Sequence, residues 1–344
     1  MSVKKSWRAV IGWPLIVCAS ALLFTGCSQP ESDAEVITVY TARNEQLIKP
    51  LFDRFQAETG IEIRYITDNA GPLLARLKAE GKNTPADLFL TVDAGFLWQA
   101  SEEGVLAPLD SPILKANIPA SLRSSKDDWF GLSLRARTII YATDRVQPGE
   151  LSTYEALAEP EWNGRICLRT AKKVYNQSLV ATMIKSLGEP ETERIVGGWV
   201  KNLATPPYSN DIQSMEAVAA GQCDVTIVNT YYFGRLQKDN PDINLAVFWP
   251  NQSDRGVHIN VSGAGLTKYA KNPAAARQLL EWLSEPEAQY LFAEANEEYP
   301  VNPAVEPSAE VKAWGDFKAD NINVEAAGRL QAEAIKLMDR VGYQ

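Results

Sequence analysis

The chain has 344 residues, 45% hydrophobic and 22% charged, with 9 Trp, 12 Tyr and 10 Phe, which excludes a disordered polymer and suffices for two compact domains. Its formal charge of −9, with no block of basic residues, argues against a nucleic-acid partner. A single histidine, His258, excludes multi-histidine zinc sites and argues against a Ser-His-Asp hydrolase.

At the N-terminus, Lys4, Lys5 and Arg8 precede sixteen mostly apolar residues, Ala9–Phe24, and then Thr25-Gly26-Cys27. A basic start, a short apolar core and small residues before a cut site describe a secretory signal over residues 1–26. The run is shorter than the ~20 residues of a spanning helix, and Pro14 interrupts it. Cys27 after Thr-Gly resembles a bacterial lipobox, although Phe24 stands where Leu is usual. Lipidation would anchor the chain through Cys27; ordinary cleavage nearby would leave it free, and either way it is exported to the periplasm. Residues 27–35 form a polar, acidic tether. Cys18 leaves with the signal, so Cys167 and Cys223 remain as an even pair in an oxidising compartment. They form a disulfide, the expectation here, or two buried thiols.

Beyond the tether, strands and helices alternate. Residues 35–40 read as a strand, and Asn44–Thr59 as an amphipathic helix through Leu47, Ile48, Leu51, Phe52 and Phe55, ended by Gly60. A strand at 61–66, a helix at 73–80, a strand at 87–91 and a helix at 96–103 follow. This order predicts an α/β fold of mainly parallel sheets with helices on both faces, binding ligands beyond the carboxyl ends of the strands. Residues 132–142 are a longer extended stretch, expected to cross between two lobes as a hinge. A second series comprises a strand at 165–169, helices at 176–187, 194–203 and 212–220, and a strand at 224–228. A helix then starts near Tyr231, residues 257–266 supply the return crossing, and one long helix covers 274–293. The expected lobes are 36–134 with 259–308, and 135–258 with 309–344.

The candidate chemistry lies at two strand-to-helix junctions. Val225–Val228 is a buried-type strand followed by Asn229-Thr230-Tyr231-Tyr232. Adjacent side chains of a strand face opposite ways, but on the first turn of a helix both tyrosines reach one cleft. Asn229 or Thr230 is expected to cap that helix. The strand at 166–169 leads likewise to Tyr175 at a helix start. A phenol ionises near pH 10, so a working phenolate needs a strong cation beside it, and three phenolates suit ferric iron better than zinc or copper. Aromatic packing with rim hydroxyls is the plain alternative.

NTYYFGRL and VYNQSLVA closely resemble the periplasmic ferric-iron-binding proteins of ABC importers, as do VYTAR, PADLFLTVDAG and SLRARTIIY, over residues 36–305. The resemblance implies a two-lobed (type II-like) solute-binding fold, Fe(3+) held by Tyr175, Tyr231 and Tyr232, and delivery by a monomer to an ABC permease and its ATPase. It also implies carbonate or bicarbonate as a synergistic anion on Arg135, with Arg137 and Arg43 behind it. Where many relatives place a histidine or a fourth tyrosine, this chain has Asn44 and Glu45, which remain possible cleft contacts. Asp93 is expected to cap a helix rather than bind metal. Lys172 and Lys173 are expected in a solvated loop.

A binding protein is therefore expected rather than an enzyme. The same fold carrying a polyamine, thiamine or an oxyanion is the alternative, and Gly263-Ala264-Gly265 alone is too weak for a phosphate loop.

Overall fold

The computed structural model describes residues 35–344; the signal segment and the anchor candidate Cys27 lie outside the described residues. The strands are β1 (Val36–Thr41), β2 (Glu62–Thr67), β3 (Leu88–Thr91), β4 (Phe130–Ala142), β5 (Ile166–Cys167), β6 (Val225–Asn229), β7 (Leu245–Phe248) and β8 (Ile259–Leu266). Helices α1 (Glu45–Thr59), α2 (Ala70–Glu80), α3 (Ala94–Glu102) and α4 (Pro112–Asn117) fall among the first strands. Next come α5 (Val174–Leu187), α6 (Glu189–Lys201), α7 (Asp211–Ala219) and α8 (Thr230–Asp239). The chain ends with α9 (Pro273–Ser284), α10 (Pro286–Asn296), α11 (Ala309–Lys312), α12 (Glu325–Arg329) and α13 (Gln331–Arg340).

Local sequence explains most of these bounds. α1 buries Ile48, Leu51, Phe52 and Phe55 and stops on left-handed Gly60. The single helix expected at 274–293 is two, α9 and α10. Pro286 cannot donate the N–H that a continuing helix needs, and Glu285 before it is extended.

The strands follow one path, β2-β1-β3-β8-β4-β6-β5, with β7 on β4. Pairing is parallel for β1–β2, β1–β3 and β5–β6, as expected of strand–helix alternation. Around β4 and β8 every pairing is antiparallel, so the sheet is mixed rather than mainly parallel. The reason is chain routing: β8 returns only after the whole second series, and it runs against β3 and β4. β4 is buried along all 13 residues and changes partner midway. Phe130–Ala136 pair with β8, whereas Arg137–Ala142 pair with β6 and β7. At Gly263 a Cβ would lie 2.4 Å from the Phe130 carbonyl, so only glycine admits this β4–β8 approach.

The last segment, for which the sequence suggested no elements, closes the structure. α12 packs on both α3 and α5, and α13 packs on α5 and α6. A disulfide joins Cys167 in β5 to Cys223 just before β6, with Cα atoms 5.8 Å apart. Among the described residues, no helix is long and apolar enough to cross a membrane.

Candidate metal centre

β6 is buried throughout and passes into α8 without a loop, which sets Tyr231 and Tyr232 on the first turn of the helix at the strand's carboxyl end. Their rings tilt against each other with centroids 4.3 Å apart. Asn229 holds the N-cap position, but its side chain does not cap. Instead its Oδ1 accepts from Arg137 Nη1 at 3.0 Å, and its Nδ2 donates to the Tyr231 hydroxyl at 3.3 Å.

Tyr175 stands on the first turn of α5, but the way there is longer. β5 has only two residues, and the loop from Leu168 to Lys173 is fixed by contacts distant in sequence. Asn176 donates through Nδ2 to the carbonyls of Arg169 (2.9 Å) and Thr170 (3.2 Å). The Tyr343 hydroxyl donates to the Arg169 carbonyl at 2.7 Å and accepts from Asn176 at 2.8 Å. Arg137 links the junctions: its Nε and Nη2 donate to Asn176 Oδ1 at 3.0 and 2.6 Å, while its Nη1 holds Asn229. Its Nη2 also reaches buried Asp211 at 3.2 Å. Arg137 is thus engaged inside the protein and, unlike Arg135 and Arg43, does not line the tyrosine cavity.

The three tyrosines line one cavity of about 120 Å³. Arg135, 2% exposed, also lines it, with its guanidinium 5.7 Å from the Tyr175 ring centroid. Arg135 donates to the Val92 carbonyl and, at 3.3 Å, to Ser262 Oγ. Arg43 donates to the same Ser262 Oγ at 2.6 Å and to Glu298 Oε2 at 2.8 Å, while its Nε is buried without a partner. Arg235, one helical turn past Tyr231, lies with its guanidinium 5.1 Å from that ring.

Burial first, then the neighbouring phenol of Tyr232, raises the pKa of Tyr175 above 10, with Arg135 and Arg169 opposing. Burial raises Tyr231 well above 10, followed by the phenols of Tyr175 and Tyr232. Both therefore keep their protons at neutral pH unless a strong cation displaces them. Among the described residues, no group of three or more His, Cys, Asp or Glu is placed to hold a metal. The convergent donors are phenol oxygens, which suit a hard, highly charged ion.

The other candidates separate clearly. Asn44 lines the cavity, whereas Glu45 does not; it is exposed, and its carboxylate accepts from the Tyr65 hydroxyl at 2.8 Å. Asp93 is fully buried and caps α3 by accepting from Gly95 N at 2.7 Å. Lys172 and Lys173 are exposed. His258 is buried and does not line the cavity, with Nδ1 3.0 Å from Thr182 Oγ1. Glu298 escaped the sequence reading. α10 ends on left-handed Glu297 (φ 55°), and the next residue lines the cavity with a carboxylate 255 positions from its Arg43 partner. No local pattern marks such a pair.

A family model described as bacterial extracellular solute-binding protein matches residues 50–319. The chain belongs to that family. Over its whole length this solute-binding protein is 41% identical to iron uptake protein A1 of Synechocystis, covering 97% of that relative. The Trichodesmium IdiA (FutA) protein solved in complex with iron and citrate superposes with a TM-score of 0.86 at 45% identity, over 90% of this chain and 100% of that one. The Campylobacter jejuni ferric binding protein gives 0.84 at 36% identity, over 90% of this chain and 100% of that one. The chain has the mixed α/β fold of these two-lobed proteins.

Proposed function

We propose that the protein captures ferric iron between two lobes through Tyr175, Tyr231 and Tyr232 and delivers it to an inner-membrane ABC permease and ATPase. The observation that carries this reading is the convergence of three phenols, from two separate strand-to-helix junctions, in one small cavity. Relatives named for iron uptake and ferric binding support the choice of cargo. The lobes are 36–134 with 259–308, and 135–258 with 309–344, hinged along β4, which changes partner two residues beyond that boundary. Arg135 holds carbonate or bicarbonate in the positions that three phenolates leave open on iron, since a planar guanidinium suits a bidentate oxyanion. Export by the N-terminal signal, with Cys27 lipidated, keeps the protein in the periplasm beside its permease.

Three phenolates neutralise a 3+ ion in the cleft, and the cost of removing the raised-pKa protons of Tyr175 and Tyr231 leaves weaker cations uncompetitive. The same linkage gives the direction of release. Binding expels phenol protons, so affinity falls as pH falls.

The test is a visible-absorption titration of the iron-stripped protein with ferric nitrilotriacetate, with and without bicarbonate. A coloured phenolate-to-iron band saturating at one metal per chain is expected. Tyr231→Phe or Tyr232→Phe should weaken binding by about a hundredfold or more, beyond the roughly 10–100-fold typical of an outer-sphere loss. Unchanged affinity in either variant refutes that ligand, and no band at all refutes the ferric reading.

A further inference from the structure

We propose that Glu298 governs how tightly the tyrosine cavity holds an anion, by serving as the built-in counter-ion of Arg43. Among the described residues that line this cavity, Glu298 is the one carboxylate, and it stands with three guanidinium groups, those of Arg43, Arg135 and Arg235.

Backbone pairing fixes where the carboxylate sits. α10 ends on left-handed Glu297, and Tyr299 exchanges two backbone hydrogen bonds with Leu134 of β4, at 2.7 and 2.8 Å. Glu298 is therefore held between a helix end and the strand that carries Arg135, and it is 4% exposed. Its Oε2 accepts from Arg43 Nη2 at 2.8 Å and from the hydroxyl of Ser133, which is also on β4. Two donors on one oxygen keep the carboxylate turned toward Arg43.

Arg43 is the group it restrains. The side chain is 3% exposed, its Nη1 donates to Ser262 Oγ at 2.6 Å, and its Nε is buried without a partner. Arg135 Nη1 donates to the same Ser262 Oγ at 3.3 Å, so two guanidinium groups converge on one neutral hydroxyl. Like charges brought together out of water repel strongly, and each draws a counter-charge. Glu298 answers Arg43. The other bond of Arg135 goes to the Val92 carbonyl, so no carboxylate of the wall pairs with it.

The cavity thus holds an anion less tightly than its arginines could. With Glu298 in place an anion meets Arg135 without Arg43, and it lacks one charge-assisted hydrogen bond. On the ferric reading, the companion anion stays exchangeable when iron is handed over. That use rests on the reading; the restraint on Arg43 does not.

The experiment is calorimetric titration of the iron-free protein with inorganic phosphate. Glu298→Gln keeps the shape of the side chain and removes its charge, and it should bind phosphate about tenfold or more tighter than the parent protein. Adding Arg43→Gln to that variant should return the affinity to the parent level. Glu45→Gln, which removes an exposed carboxylate outside the cavity, should change it by less than about twofold. Arg43→Gln alone reads the same contact from the other side. It leaves Glu298 uncompensated in the wall, so phosphate should weaken by about tenfold. Phosphate bound no tighter by Glu298→Gln, or unchanged by Arg43→Gln, overturns the counter-ion role. A gain that survives in the double variant assigns the effect to the charge of Glu298 itself and overturns the restraint on Arg43. The ferric reading is judged separately, by the coloured band with ferric nitrilotriacetate and bicarbonate, and its absence leaves the phosphate comparison decisive for Glu298.

Discussion

The two junctions that present the tyrosines are built differently. β6 runs straight into α8, so Tyr231 and Tyr232 are placed by local geometry and by one bond from Asn229. Tyr175 follows a two-residue strand and a loop pinned by Asn176, Arg137 and Tyr343. One tyrosine pair is positioned by the chain's own path, the third tyrosine by partners up to 174 residues away. Long-range support is easier to remove, so the Tyr175 side should fail first when the scaffold is disturbed.

The largest effect is expected from Arg137→Leu, which cuts both junctions at once. It leaves Asp211 buried with only Arg169 as an ion partner, and breaking such a buried pair costs about 3–5 kcal/mol. Urea unfolding measures the loss; a change under about 1 kcal/mol would show that Arg137 does not bracket the site.

Acid should separate the two sides further. Burial, followed by the charges of Arg137, Arg135 and Arg255, pushes His258 down to about 3. Its unfolded value is near 6.5, so its contribution to stability is complete above that pH and drains as pH falls toward 3. The decline approaches about 1.4 kcal/mol per pH unit. Because His258 bonds Thr182 of α5, hydrogen exchange at pH 5 should rise in α5 before α8. In His258→Gln the stability slope between pH 6.5 and 4 should flatten, and an unchanged slope would assign acid sensitivity to other groups.

The smallest and most selective change is Tyr343→Phe. It removes a donor to the Arg169 carbonyl and an acceptor for Asn176, worth about 1–2 kcal/mol. Iron affinity should drop while the Tyr231–Tyr232 arrangement persists. Equal loosening of α8 in hydrogen exchange would erase the contrast between the junctions.

This contrast also explains what was legible in the sequence. VTIV followed by NTYY contains both the buried strand and the helix start, and the tyrosines can be placed from that run alone. Asn176, Tyr343, Arg169 and Glu298 act through partners far along the chain, which periodicity does not encode. Strand direction was legible where helices separate neighbours and was misjudged at β4 and β8, where the chain goes out and returns. The break at Pro286 was written in the sequence but masked by the apolar pattern on either side.

The disulfide also constrains the chain between the two junctions. Tyr175 lies eight residues beyond Cys167, and Tyr231 eight beyond Cys223, so both separations are 56. Once the sulfurs join, the two junctions hang on arms of equal length, each about 15 Å long as a flexible coil. The tyrosines then meet at the raised effective concentration of tethered partners rather than by a search along the whole polymer. Closing the disulfide thus helps bring the two tyrosine junctions together.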